Sequence, residues 1–131
     1  MPEKTAANIF ITNGLAGKPI TPYKHSMYRP TLYIDIRDVC KAFKNYADKI
    51  LNEDISRKTD SLSHIVNIYY PKPVTIFELA EIVRDVIIEK TGGKITPKIK
   101  IVDKGIEQLF SEEDKKRIRV NIKKAKEFLN I

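Results

Sequence analysis

Apolar positions along the chain fall into helical stripes separated by short extended runs. Ala6, Ile9, Phe10 and Leu15 recur at helical spacing behind Thr5, a good N-cap, and Gly14 and Gly17 mark the end of that helix. Leu32, Tyr33, Ile34 and Ile36 suit one short strand. Val39, Phe43 and Ala47 then repeat every four residues, with Cys40 and Ile50 widening the stripe. This predicts a helix over 35–51 with its stripe, the Cys40 thiol included, packed inward. Asp35 is placed to cap it, and Asp38 lies against the positive end of its dipole.

Further along, His64 to Tyr69 is a strand rich in β-branched residues, and Lys98 to Val102 alternates with Ile99 and Ile101 on one face. Thr75-Ile76-Phe77-Glu78 is a capping box, with Val74 and Leu79 placed for a hydrophobic staple. The helix it opens buries Leu79, Val83, Val86 and Ile87 and stops at Gly92-Gly93. Asn121 to Leu129 makes the last helix. The polar stretch 52–63 has no apolar period and reads as a surface loop, and Glu112-Glu113-Asp114 as a solvated turn. Together these elements predict an α/β fold, a small mixed sheet with three to four helices, in one domain spanning 1–131.

Composition agrees with a folded chain: hydrophobic residues make up 42% of the 131 residues, with only 5 Gly and 7 Pro. No apolar run approaches the roughly 20 residues of a membrane span. Met1-Pro2-Glu3-Lys4 is polar, without the apolar core of a signal peptide. One cysteine, Cys40, allows no internal disulfide, so the expected location is cytoplasmic. Net charge is +7; beyond residue 93, 11 Lys/Arg against 6 Asp/Glu place +5 of it. The basic run at 115–117 has no interleaved aromatic and no recognition motif, which disfavours nucleic acid.

Chemistry-bearing motifs are sparse. His25 and His64 lie far apart without metal-ligand spacing and read as structural or solvent-facing. Capping accounts for Asp35 and Asp38 without a catalytic carboxylate pair. Arg29 stands out. Pro30 after it disfavours helical geometry, leaving a guanidinium where a strand and a helix N-terminus converge. Phosphate contact and a structural salt bridge are both open for it.

The stretch Tyr28-Arg29-Pro30-Thr31-Leu32-Tyr33-Ile34-Asp35-Ile36-Arg37-Asp38-Val39-Cys40-Lys41-Ala42 resembles the R-x-x-x-Y/H-V-x-D-V-x-x-A region of NAD-dependent sugar-nucleotide epimerases and dehydratases. These are extended short-chain dehydrogenases/reductases. Arg29 and Asp38 are the matching positions, with about two extra residues between them. Asn8-Ile9-Phe10-Ile11 and Gly17-Lys18-Pro19-Ile20 are similar to that family's N-x-F-I and G-K-P-I/L runs. Thr75-Ile76-Phe77-Glu78-Leu79-Ala80-Glu81 is similar to its V/T-I-x-E-L-A-E run. In the tail, Asp114, Val120, Lys124 and Leu129 fall on the family spacing, with Lys116, Ile118 and Asn130 where the family has Arg, Tyr and Gly.

The resemblance covers essentially the whole chain but only the C-terminal, substrate-binding two-fifths or so of such an enzyme. It implies a nucleotide-sugar ligand, with Arg29 on the diphosphate, Tyr23 against the base, and Asn8 and Lys116 as further contacts. No G-x-x-G-x-x-G follows a strand, and no tyrosine is followed four residues later by lysine. The chain is therefore expected to be a truncated or split relative, inactive alone, with no cofactor of its own. NAD would enter only through a separate Rossmann-domain chain. A Rossmann half missing from the fold exposes apolar residues, expected among Ile9, Phe10, Ile11 and Ile34. That makes a homo-oligomer or a protein-interaction module the alternative function.

Overall fold

The computed structural model describes residues 5–52 and 65–129; the readings at Met1–Lys4, at loop 53–63, at His64 and at Asn130 lie outside them. The protein is mixed α/β, with five helices and a two-stranded antiparallel sheet among the described residues. The helices are α1 (Ala6–Leu15), α2 (Ile36–Asn52), α3 (Ile76–Lys90), α4 (Asp114–Arg117) and α5 (Lys123–Leu129). The strands are β1 (Pro30–Thr31) and β2 (Val74–Thr75). The chain forms two compact units: Met1–Thr31 with Val74–Ile118, and Leu32–Pro73 with Arg119–Ile131.

In the first unit α1 packs on α3. Phe10, Ile20, Ile76, Ala80, Val83 and Ile87 form its buried cluster, with Ala6, Leu79, Ile95 and Ile99 against it. Thr5 caps α1, its Oγ1 accepting from the Asn8 N–H at 3.4 Å. Both long helices of this unit end in the same way. The N–H groups of Gly17 and Lys18 bond the carbonyls of Gly14 and Asn13, and those of Gly92 and Gly93 bond Glu89 and Ile88. Gly17 (φ 73°), Gly92 (φ 61°) and Gly93 (φ 80°) supply the left-handed conformations that these endings need.

Gly14 does not terminate α1, as its spacing predicts. It is buried within the helix, where an added Cβ would stand 2.5 Å from Ile87 Cδ1. The missing side chain lets the two helices approach.

The segments around Ile20 and Tyr23 pair in parallel with those around Ile99 and Val102, through single bridges rather than continuous strands. Ile99 packs on the core while Ile101 is exposed, so the two do not share a buried face. Strand β1 meets β2 in the register Pro30–Thr75 and Thr31–Val74. The strand expected over 32–36 lies earlier, at 30–31, and is only two residues long.

Thr75 caps α3 by accepting from the Glu78 N–H at 3.1 Å. The other half of the capping box is replaced. Glu78 receives the Thr75 hydroxyl at 3.3 Å, and Lys115 Nζ lies 2.8 Å from both of its carboxylate oxygens. That pair ties α4 to the first turn of α3. Residues 114–117 thus form a one-turn helix, a fifth beyond the expected three to four. Val83 and Ile87 are buried as predicted, but Val86 faces solvent and Ile76 and Ala80 take its place.

The second unit packs α2 on α5. Asn45 Nδ2 donates to the Leu129 carbonyl at 2.8 Å, and Tyr46 meets Phe128 with ring centroids 5.7 Å apart. Asn121 Oδ1 accepts from the Lys123 N–H at 2.9 Å and so caps α5. Residues 65–70 form no strand; the Tyr70 N–H bonds the Tyr33 carbonyl, and one such bond makes no ladder.

The apolar stripe of α2 is not packed inward. Ala42 is its only buried residue, while Ile36, Phe43 and Leu51 are 70%, 72% and 82% exposed and Cys40 is exposed with them. Sequence periodicity shows that a helix is amphipathic but not which side meets the protein. Here Asn45 and Tyr46 meet α5 and Ala42 is buried, all to one side of the centre of the apolar stripe.

Gly14→Ala removes a helix-weakening glycine, worth about 1 kcal/mol, but overpacks a buried contact, which costs about 1–3 kcal/mol. Alone it is expected to destabilise. Ile87→Val, which costs about 0.5–1.5 kcal/mol in the parent, is expected to be neutral or stabilising in the Gly14→Ala background because it deletes Cδ1. Urea unfolding of the four-member cycle checks this; additive effects would sink the close-approach reading.

Candidate functional site

The four residues singled out in the sequence all belong to the first unit. Arg29 follows a turn in which its N–H bonds the Ser26 carbonyl at 3.0 Å. Beside it, Glu112 first, and then burial, raise the Tyr28 phenol above its usual range. The Arg29 side chain is exposed, and among the described residues no carboxylate or carbonyl pairs with its guanidinium.

Its backbone meets the start of α3. The Arg29 carbonyl accepts from the Ile76 N–H at 3.3 Å and the Met27 carbonyl from the Phe77 N–H at 2.8 Å. With Thr75 on the Glu78 N–H, the first-turn donors that would otherwise attract an anion are already taken. A ligand phosphate at Arg29 therefore has the guanidinium to bind and not a helix terminus.

Tyr23 is 45% exposed. Its ring stacks on His25 with centroids 5.7 Å apart, and Lys104 Nζ lies 5.1 Å from its centroid. Part of the ring is thus engaged before any base arrives. Asp103 closes this cluster, its carboxyl pulled below the usual range first by the Gly105 N–H and then by Lys24 and His25. His25 itself is half-buried, with Nδ1 enclosed and without a hydrogen-bond partner. Asn8 is half-buried on α1 and has its own partner. Lys116 is exposed and pairs with Glu113 at 3.2 Å, one helical turn away. Arg29, Tyr23 and Lys116 each engage different neighbours, and the structure draws them into no common hydrogen-bond network.

No protein-family model and no curated protein matches this chain. The resemblance to sugar-nucleotide enzymes therefore stands on the motifs in the sequence. Among the described residues no helix is long and apolar enough to cross a membrane, and no three His, Cys, Asp or Glu side chains could hold a metal ion.

The second unit holds a feature that the sequence does not single out, a cavity of about 340 Å³. Ile34, Ile68, Ile122 and Ala125 supply its apolar lining, and Tyr69 and Tyr70 its aromatic part. Asp38 and Lys41 of α2 and Lys126 of α5 reach it from the two helices. Tyr69 is held by donation of its hydroxyl to the Asn121 carbonyl at 3.1 Å. Segments far apart in the chain build this wall, and no local spacing announces it. Asp38, a match to the family pattern, is thus a cavity residue of this unit, whereas Arg29 belongs to the other.

At the start of α2, Asp35 accepts from the Arg37 N–H at 2.8 Å and from the Arg37 guanidinium at 3.0 and 2.8 Å. The guanidinium, ahead of the backbone bond, holds the carboxyl down at about 2. A carboxylate already occupies this helix start, the role its cap spacing predicts.

A folded-state pKa below the unfolded value means that the contribution of Asp35 is present above the ordinary carboxylate range and is lost as pH falls toward about 2. Carboxyl-detected NMR is expected to show Asp35 still ionised at pH 3. Arg37→Ala is expected to return its midpoint to the ordinary range; an unmoved midpoint would remove the guanidinium as the cause.

Proposed function

We propose that the chain is a sugar-nucleotide-binding domain related to the substrate-binding half of NAD-dependent epimerases and dehydratases, without catalytic activity of its own. The single observation that carries this reading is Arg29, an exposed guanidinium with no protein partner among the described residues, on a loop whose backbone bonds the start of α3. A loop arginine that is not spent on a carboxylate keeps its fork of donors for a diphosphate. Tyr23 offers an exposed ring edge to a base, and Asn8 and Lys116 are secondary contacts. Hydride transfer requires NAD and a tyrosine–lysine dyad from a separate Rossmann-domain chain, since the sequence has neither motif. A reducing, cytoplasmic setting suits such a ligand.

Calorimetric titration with UDP-, dTDP-, GDP- and CDP-sugars tests the reading, with NAD as the negative. One nucleotide sugar is expected to bind in the micromolar range. Arg29→Ala is expected to weaken it by about 10- to 100-fold, the worth of a lost charge-assisted contact. Silence across the panel, or binding indifferent to Arg29, rejects it.

A second reading is a protein-interaction module, specifically a homo-oligomer. The exposed stripe of α2 favours it, because Ile36, Cys40, Phe43, Ala47, Ile50 and Leu51 share one side of a single helix and face water. Apolar residues gathered in this way mark contact surfaces more often than scattered ones do. Ile9 and Ile11 are also exposed, while Phe10, expected with them, is buried in the first core. Sedimentation velocity at rising concentration is expected to show self-association that Phe43→Glu abolishes. A single monomeric species throughout rejects this reading.

A further inference from the structure

We infer that the cavity of the second unit is a binding site for a small apolar monoanion, a carboxylate on an aryl or alkyl body of about ten non-hydrogen atoms. The size sets the first limit. A volume of about 340 Å³ lies at the small end of ligand pockets. At about 30 Å³ for each water-sized group it holds roughly eleven of them. A nucleotide sugar is far larger, so this is a site apart from the one proposed at Arg29, in a different unit of the chain.

The lining sets the second limit. Ile34, Ile68, Ile122 and Ala125 offer no hydrogen bond from their side chains, and Tyr69 has its hydroxyl committed to the Asn121 carbonyl. Such walls favour an apolar body, and the aromatic rings favour a flat one. Charge comes only from the helices. Lys41 of α2 and Lys126 of α5 both reach the cavity, and among the described residues neither forms an ion pair. On the same two helices, by contrast, Lys44 pairs with Asp48 and Lys123 with Glu127. Lys41 and Lys126 thus bring to the cavity rim two ammonium groups that no carboxylate among the described residues neutralises. Asp38, three residues before Lys41, leaves the lining with a formal charge of +1. That balance suits one carboxylate and disfavours a diphosphate, which brings at least two negative charges.

The probes are 3-phenylpropionate and its neutral counterpart 3-phenylpropan-1-ol, titrated into the 15N-labelled chain and followed by amide shifts and calorimetry. The acid is expected to shift the amides of Ile68, Tyr69, Ala125 and Lys126 and to bind at least about tenfold more tightly than the alcohol. Lys41→Gln combined with Lys126→Gln changes two exposed side chains, and circular dichroism verifies the fold. This pair is expected to erase the preference for the acid and leave the alcohol unchanged, whereas Arg29→Ala leaves both unaffected. Acid and alcohol binding equally, acid shifts confined to the exposed face of α2, or no shift at millimolar probe each overturn the inference. Because the Arg29 variant reports separately on nucleotide sugars, failure of one site is distinguishable from failure of the other.

Discussion

The close approach of α1 to α3 is the contact on which the first unit depends. It rests on the absence of a side chain at Gly14, which places the α1 backbone against Ile87 and lets Phe10 reach the same layer as Ile76, Ala80 and Val83. Fully buried Ile20 then fills the layer from the following segment, and its backbone carries the pairing to Lys98 and Lys100. Each element that presents Tyr23, Arg29 or Lys116 is tied to this layer. The bridge at Val102 holds Tyr23, the donors of α3 hold the loop of Arg29, and the pair of Glu78 with Lys115 holds α4. Interiors packed at crystal-like density pass such constraints outward with little slack.

The second unit is built differently. Its buried residues in helices are Ala42, Ala125 and Leu129, two of them alanines, so the apolar area removed from water is small. Aromatic and polar contacts do much of the holding: Tyr46 on Phe128, Lys49 over the Phe128 ring at 4.5 Å, and Asn45 on the Leu129 carbonyl. A unit with a thin core retains both a cavity and an exposed apolar helix side. Both features accompany the scarcity of large buried side chains on α2 and α5 among the described residues.

Electrostatics separates the two candidate ligands. Arg29 lies next to helix donors that the chain itself has already saturated, so an anion there depends on the guanidinium and is sensitive to salt. The cavity combines a nearly neutral lining with apolar walls, where the body of the ligand contributes most of the affinity and the charge selects its class. Asp35, which clasps Arg37 at the start of α2, does there what Thr5 and Thr75 do at α1 and α3: the chain's own side chains close the starts of its three long helices.

By itself the sequence determined the four longer helices and most of their ends, because caps and glycine stops act over three to six residues; it missed α4 and placed a stop at Gly14 inside α1. Thr5, Asp35 and Thr75 cap where they stand, and Gly17 and Gly92-Gly93 end helices through left-handed backbone that other residues reach at a cost. It also located the exposed arginine, since Pro30 restricts the residue before it. Only the tertiary structure decided the rest. Periodicity gives a stripe without its partner, so the stripe of α2 is apolar whether it meets α5 or water. Glu78 could serve its own helix start until Lys115, 37 residues later, arrived. Strands shrank to bridges because a ladder needs a neighbour at the right distance, which propensity does not supply. Asp38 joined a cavity with Ile68 and Lys126 because packing, acting between segments distant in sequence, sets which side chains converge.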